Sequence, residues 1–162
     1  MALQTPLSWL QDFVELSIPP SALAERLTTA GLEVELIEKI GEDWGDYCVV
    51  GQVTKIRKHP NADALNLVDV DFGADKPITL VTGAPNIQEM AINFPEPAPK
   101  VALALTGAML VDAYHEDHPL KKLKPAKFRG VASEGMLCSE LELGLSEEHE
   151  GILILPEDAP VG

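Results

Sequence analysis

The sequence has little that would carry chemistry or cross a membrane. No apolar run approaches the roughly 20 residues that span a bilayer. The N-terminus lacks the basic start and apolar stretch of a secretion signal, so a soluble, cytoplasmic protein with no membrane partner is expected. Cysteine is limited to Cys48 and Cys138, without C-x-x-C spacing. Two reduced, half-buried thiols are the expectation, with a disulfide between them left open. His59, His115, His118 and His149 have no Cys or His partners at zinc-site spacing, so no metal site is expected. Ser133, Ser139 and Ser146 lie in no G-x-S-x-G elbow, and no glycine-rich phosphate loop is present. No catalytic residue and no cofactor are assigned within these residues. Aromatic residues make up only 5% of the chain. Phe72, Phe128 and Tyr114 are then the candidates for stacking on a base in its central part.

Bases are the other scarcity. Lys and Arg number 12 against 26 Asp and Glu, for a net charge of −14. Spread evenly, that charge would repel nucleic-acid phosphates. Its distribution is uneven. Residues 1–48 carry nine acids against Arg26 and Lys39, giving −7, and residues 146–162 carry five acids and no base, giving −5. The intervening 49–145 carries twelve acids and ten bases, giving −2. Lys121, Lys122, Lys124, Lys127 and Arg129 fall within nine residues, so the middle can present one positive face.

A hydrophobic content of 46% is enough for a real core. Thr5-Pro6 can start a helix, with a capping hydroxyl and proline at the first helical position. Leu7, Leu10 and Val14 form its apolar stripe. Pro19-Pro20 stop and restart the chain, and Leu23, Ala24, Leu27 and Ala30 form a second stripe that ends at Gly31. Leu32, Val34 and Leu36 alternate with Glu33 and Glu35 like a half-buried strand, and 152–155 is its expected partner. Residues 1–40 and 149–162 would then form one small α+β appendage around a β-rich segment at 41–148. Within that segment five runs read as short strands: 49–58, 65–71, 78–82, 101–105 and 128–131. Gly, Pro and Asn punctuate them, and the economical arrangement is a five-stranded barrel. Residues 87–100, with Pro95, Pro97 and Pro99, and residues 114–125 are expected as exposed loops.

The stretch Lys127-Phe128-Arg129 through Leu145 closes this barrel and leaves two readings open. In one, Lys127 and Arg129 are merely solvated while Met136, Leu137 and Cys138 plug the barrel. In the other, Lys127 and Arg129 meet phosphates, Ser133 and Ser139 offer hydroxyls, and Met136 gives an adaptable platform for a base. His59-Pro60-Asn61-Ala62-Asp63 joins the first two strands. It reads either as a well-formed turn or as a barrel mouth where Lys55, Arg57, Lys58, His59 and Asn61 gather cations, an imidazole and an amide. Gly83-Ala84-Pro85-Asn86 reads as a turn that can also approach a ligand backbone closely.

Taken together, Val49-Val50-Gly51-Gln52-Val53, His59-Pro60-Asn61-Ala62-Asp63, Gly83-Ala84-Pro85-Asn86 and Arg129-Gly130-Val131-x-Ser133-x-Gly135-Met136-Leu137-Cys138-Ser139 resemble the tRNA-binding OB-fold module. The ends resemble the N-terminus of the bacterial phenylalanyl-tRNA synthetase β subunit. They are Pro6-Leu7-Ser8-Trp9-Leu10, Leu27-Thr28-x-Ala30-Gly31-Leu32-Glu33-Val34-Glu35, Glu140-x-Glu142-Leu143-Gly144-Leu145-Ser146, His149-Glu150-Gly151-Ile152 and Leu155-Pro156-Glu157-Asp158-Ala159-Pro160. The resemblance implies an OB-fold barrel inserted into a helical appendage, as a non-catalytic N-terminal fragment of a larger ligase. It implies tRNA, the α subunit and the remaining β domains of an α2β2 heterotetramer as partners. ATP and magnesium would serve the full enzyme only, since the family's aminoacylation site belongs to α and the β editing site lies beyond Gly162.

Three expectations follow for function. The first is a tRNA-contacting module, with Lys55, Arg57, Lys58, His59, Asn61, Lys127, Arg129, Ser133, Met136 and Ser139 as RNA-binding residues. The second is an assembly element with little RNA affinity of its own. The third is a free-standing tRNA-binding protein, which the helical leader at 6–31 disfavours.

Overall fold

The computed structural model describes residues 3–42 and 44–162. The chain divides into two compact units, Met1–Lys39 and Ile40–Gly162.

The first unit carries two helices, α1 (Leu7–Gln11) and α2 (Pro20–Thr29). Pro6 is the N-cap of α1 and no side chain caps it, so Thr5 does not take the expected capping role. Pro20 opens α2, where a missing N–H leaves no helical bond unmade. The helix ends as its glycine requires. Gly31 has φ +94°, its N–H reaches the Thr28 carbonyl (3.0 Å), and the Leu32 N–H reaches the Leu27 carbonyl (2.9 Å). That pair of bonds satisfies the last carbonyls of the helix. Trp9 and Phe13 meet edge to face with centroids 5.7 Å apart. The alternation at 32–36 forms no strand.

The second unit is a β-barrel. Its strands are β1 (Cys48–His59), β2 (Ala62–Asp71), β3 (Ile78–Thr82), β4 (Lys100–Leu105), β5 (Met109–Val111), β6 (Leu120–Lys122), β7 (Ala126–Phe128), β8 (Val131–Ser133), β9 (Gly135–Leu137) and β10 (Ile154–Leu155). One helix, α3 (Pro85–Ile92), lies between β3 and β4. β1 pairs antiparallel with both β2 and β4, β2 pairs with β3, and β9 pairs with β4. A register shift between Val53 and Lys55 lets the long β1 bend from one partner to the other. The ring nearly closes between β3 and the β8–β9 corner. There the Glu134 N–H donates to Thr79 O (3.2 Å), and Ser133 Oγ accepts from the Val81 N–H (3.0 Å). The strand order and this closure define a five-stranded, OB-like antiparallel barrel.

Two hydrophobic clusters hold it. Val53, Val68, Val70, Leu80, Val101, Leu103 and Leu137 fill the barrel, with Ile87 of α3 fully buried among them. Ala102, Ala104, Ala108, Leu110, Cys138 and Leu143 form the second.

Four expectations change. Residues 87–100 are not all loop, because Pro85 starts a helix whose Ile87 the core requires. Residues 114–125 include β6, which pairs with β5 as a two-stranded ribbon. The run at 128–131 is a hairpin turn, with Phe128 opposite Val131. Finally, Ile154–Leu155 take β4 as partner, at Val101 and Lys100. β9 is only three residues long and covers Leu103 to Leu105, so that edge of β4 stays open for them.

Gly135 is required by closeness. A Cβ there would sit 2.5 Å from the Ala104 carbonyl oxygen, and backbone cannot yield as a side-chain tip can. Gly135→Ala is expected to destabilise the barrel by about 2 kcal/mol or more. It should appear as a lower urea midpoint at an unchanged slope.

Candidate nucleic-acid interface

The expected cations do not all remain available. Arg57 forms an ion pair with Asp69, and the same carboxylate oxygen of Asp69 accepts from Thr79 Oγ1 (2.8 Å). The guanidinium is thereby tied across β1, β2 and β3. Lys121 pairs with Asp112 at 3.0 Å. That hydrogen bond, aided by the Tyr114 N–H, holds the Asp112 carboxyl below its ordinary range. Lys100 Nζ donates to the carbonyls of Glu157 (2.7 Å) and Ala159 (2.6 Å) and fastens the C-terminal segment. Lys55, Lys58, Lys127 and Arg129 are exposed, and none makes a salt bridge among the described residues.

His59 and Asn61 gather part of this set at one end of the barrel. Residues 129–130 are the two-residue turn of the β7–β8 hairpin. Both have positive φ, 46° at Arg129 and 99° at Gly130, which is the type I′ geometry matched to strand twist. Arginine in that conformation costs about 1–2 kcal/mol, so other contacts must hold it. His59 is buried. Its Nδ1 accepts from the Asn61 N–H (3.1 Å), which leaves Nε2 to carry the proton and donate to Phe128 O (3.0 Å). Asn61 Nδ2 donates to Arg129 O (3.1 Å). Two successive carbonyls of the hairpin tip are thus pinned to the β1–β2 turn, and Lys58 lies next to the pin in sequence. Pro60 and Asn61 were legible as turn residues, but the partners across 68 residues of chain were not.

The remaining candidates face inward. Ser133 is buried; its hydroxyl donates to Gly135 O (2.8 Å) while accepting from Val81. Ser139 is also buried, and its N–H (2.7 Å) and Oγ (2.9 Å) both donate to Glu142 Oε2. Glu142 N–H returns a bond to Ser139 Oγ (3.3 Å), so S-x-x-E acts as a capping box without a helix behind it. Met136 is half-buried against the second cluster. Asn86, in the first turn of α3, spends its amide on Ile152, donating to its carbonyl (2.9 Å) and accepting from its N–H (3.2 Å). Asp69 and Thr79, the residues that hold Arg57, were missed because the bend in β1 hides the cross-strand register. Among the described residues no group of three or more His, Cys, Asp or Glu is placed to hold a metal ion, and no helix is long and apolar enough to cross a membrane.

A small OB-like barrel with a pinned, cation-tipped hairpin is a fold of the oligonucleotide-binding class. Residues 48–102 and 115–162 match the family described as a putative tRNA binding domain, and the chain belongs to that family. It is 48% identical over 160 residues to a protein of Dehalococcoides mccartyi named phenylalanine–tRNA ligase beta subunit, covering 99% of this chain and 18% of that protein. A protein of Burkholderia lata with the same name is 45% identical, at the same coverage. The chain thus spans 18% of the length of these curated relatives. The crystal structure of a MetRS related protein from Pyrococcus horikoshii is similar at 27% identity and a TM-score of 0.46, covering 78% of this chain and 95% of that one.

Thiol chemistry adds nothing to this surface. Cys48 and Cys138 are both free. Burial pushes both thiols up, Cys138 well above the ordinary 9.0, with the charges of Glu142 and Cys48 acting in the same direction. The protonated thiol is the inert form. Once pH passes 9.0, the unfolded chain loses a proton that folded Cys138 keeps, so stability falls as pH rises. Urea unfolding between about pH 8 and about pH 10 should show this fall, and Cys138→Ala should flatten part of it.

Proposed function

We propose that this chain is the tRNA-contacting region of a phenylalanine–tRNA ligase β subunit and acts by phosphate contacts. The observation that carries the reading is the placement of Lys55, Lys58, Lys127 and Arg129. All four are exposed cations without a salt bridge among the described residues, on a barrel of the tRNA-binding family. Arg57, His59 and Asn61 support that surface from within the turn and the sheet. Ser133, Met136 and Ser139 hold the barrel's closing corner and act on RNA only through it. The reading implies ATP and magnesium for the whole ligase, an α2β2 assembly with the α subunit, and a cytoplasmic location. No step of the aminoacylation chemistry is assigned to these residues.

A second reading is favoured by one observation in the first unit. Trp9, Phe13, Leu32 and Leu36 are exposed, the last at 76%, and exposed apolar surface marks contact with other protein. In that reading the unit is an assembly element for further domains or subunits.

Salt-dependent binding to a tRNA that accepts phenylalanine separates the two. Counterion release predicts that log affinity falls linearly with log salt, with a slope of roughly 0.7–0.9 per phosphate contact. The Lys127→Ala, Arg129→Ala double variant should lower the slope by roughly 1.5. Absence of binding even at low salt would leave the assembly reading.

A further inference from the structure

Lys127, Phe128 and Arg129 are consecutive, and all three side chains are exposed. The backbone that carries them is held, through the Phe128 and Arg129 carbonyls, by His59 and Asn61. An exposed aromatic ring on a pinned hairpin, with a cation on either side, does not occur elsewhere among the described residues. Phe72 is half-buried against the barrel core and is flanked by Asp71 and Gly73 instead of cations. Tyr114 is 95% exposed, but the lysine of its ribbon bonded to Asp112, Lys121, is already paired. Phe128 is 42% exposed.

We propose that the hairpin tip is a clamp for one unpaired nucleotide of RNA. Phe128 stacks on the base, Arg129 and Lys127 take the adjoining phosphates, and His59 and Asn61 are positioning residues that fix the tip before RNA arrives. The proposal rests on the RNA-binding reading and narrows its ligand class. Inside an A-form duplex each base is already stacked on both faces, so a ring of this kind engages a base only where the strand is open. A tip whose backbone is already fixed loses little freedom on binding. That accounts for an arginine held at positive φ where asparagine or glycine would sit without strain.

The test uses the whole chain, a short unstructured RNA oligonucleotide and a blunt RNA duplex of equal length, with affinity followed against salt. The oligonucleotide should bind about tenfold more tightly than the duplex. Phe128→Ala should weaken oligonucleotide binding roughly 5- to 150-fold with an unchanged salt slope, the signature of lost stacking. Phe128→Leu, which keeps apolar bulk at an exposed site, should behave alike, whereas Phe128→Trp should retain affinity. Arg129→Ala should lower the slope by roughly 0.7. Asn61→Ala should lower affinity and slope together, and add little in combination with Arg129→Ala, because the two act as one unit. If the parent binds with steep salt dependence but Phe128→Ala and Phe128→Leu match it on both RNAs, the clamp is wrong and the phosphate reading survives without it. A parent that shows no salt-dependent binding overturns both.

Discussion

Everything in the larger unit depends on β4 being buried on both faces. Val101 and Leu103 point into the barrel interior, and Ala102 and Ala104 point into the second cluster with Ala108, Leu110, Cys138 and Leu143. One six-residue strand is therefore a wall between two cores. It is also the strand with the most partners, with β1 along one edge and β9 and β10 sharing the other. Alanine on the second side keeps that cluster thin, and Gly135 lets β9 approach the Ala104 carbonyl. Burying both faces of a strand is strongly favourable only when its backbone groups are paired; the three partners supply most of those bonds, and Leu153 and Cys138 supply the ones at Ala102.

Function can then be carried by what the barrel does not need. The inner face, the corner at Ser133 and the box at Ser139 and Glu142 are committed to closure. The outward cations at Arg57, Lys100 and Lys121 are committed to Asp69, the C-terminal segment and Asp112. Lys55, Lys58, Lys127 and Arg129 are left over, as are Lys122 and Lys124 of the β6 segment, none with a salt bridge among the described residues. A rigid scaffold that presents a few uncommitted charges from one hairpin and one strand end is the usual division of labour between framework and recognition loop.

The same sorting reconciles a net charge of −14 with RNA contact. Within a Debye length of roughly 10 Å at 0.1 M salt, local charges decide what a phosphate meets. The acids concentrate at residues 1–48 and 146–162. Excess negative charge elsewhere in the sequence opposes nonspecific adhesion to nucleic acid, and under the proposed reading contact falls to the uncommitted cations.

Local information determined a good deal. Alternation and turn residues placed β1 through β4, the proline pair opened α2, Gly31 closed it, and the barrel class followed from short, punctuated strands. Each of those depends on neighbours a few residues apart. The capping box at Ser139 was equally local, yet Ser139 read as a candidate RNA contact for its hydroxyl, because S-x-x-E spacing normally announces a helix and none follows here. Tertiary structure alone decided the rest. A helix forms over Pro85–Ile92, ahead of the prolines at 95, 97 and 99, because Ile87 is buried in the barrel core. The alternating Leu32, Val34 and Leu36 formed no strand, and Ile154–Leu155 found β4 because short β9 left its edge open. Arg57 was withdrawn from the candidate surface by Asp69, and His59 moved from barrel mouth to buried pin by accepting from Asn61 and donating to Phe128. Hydrogen-bond partners chosen across dozens of residues depend on register and closure, which composition and periodicity do not encode.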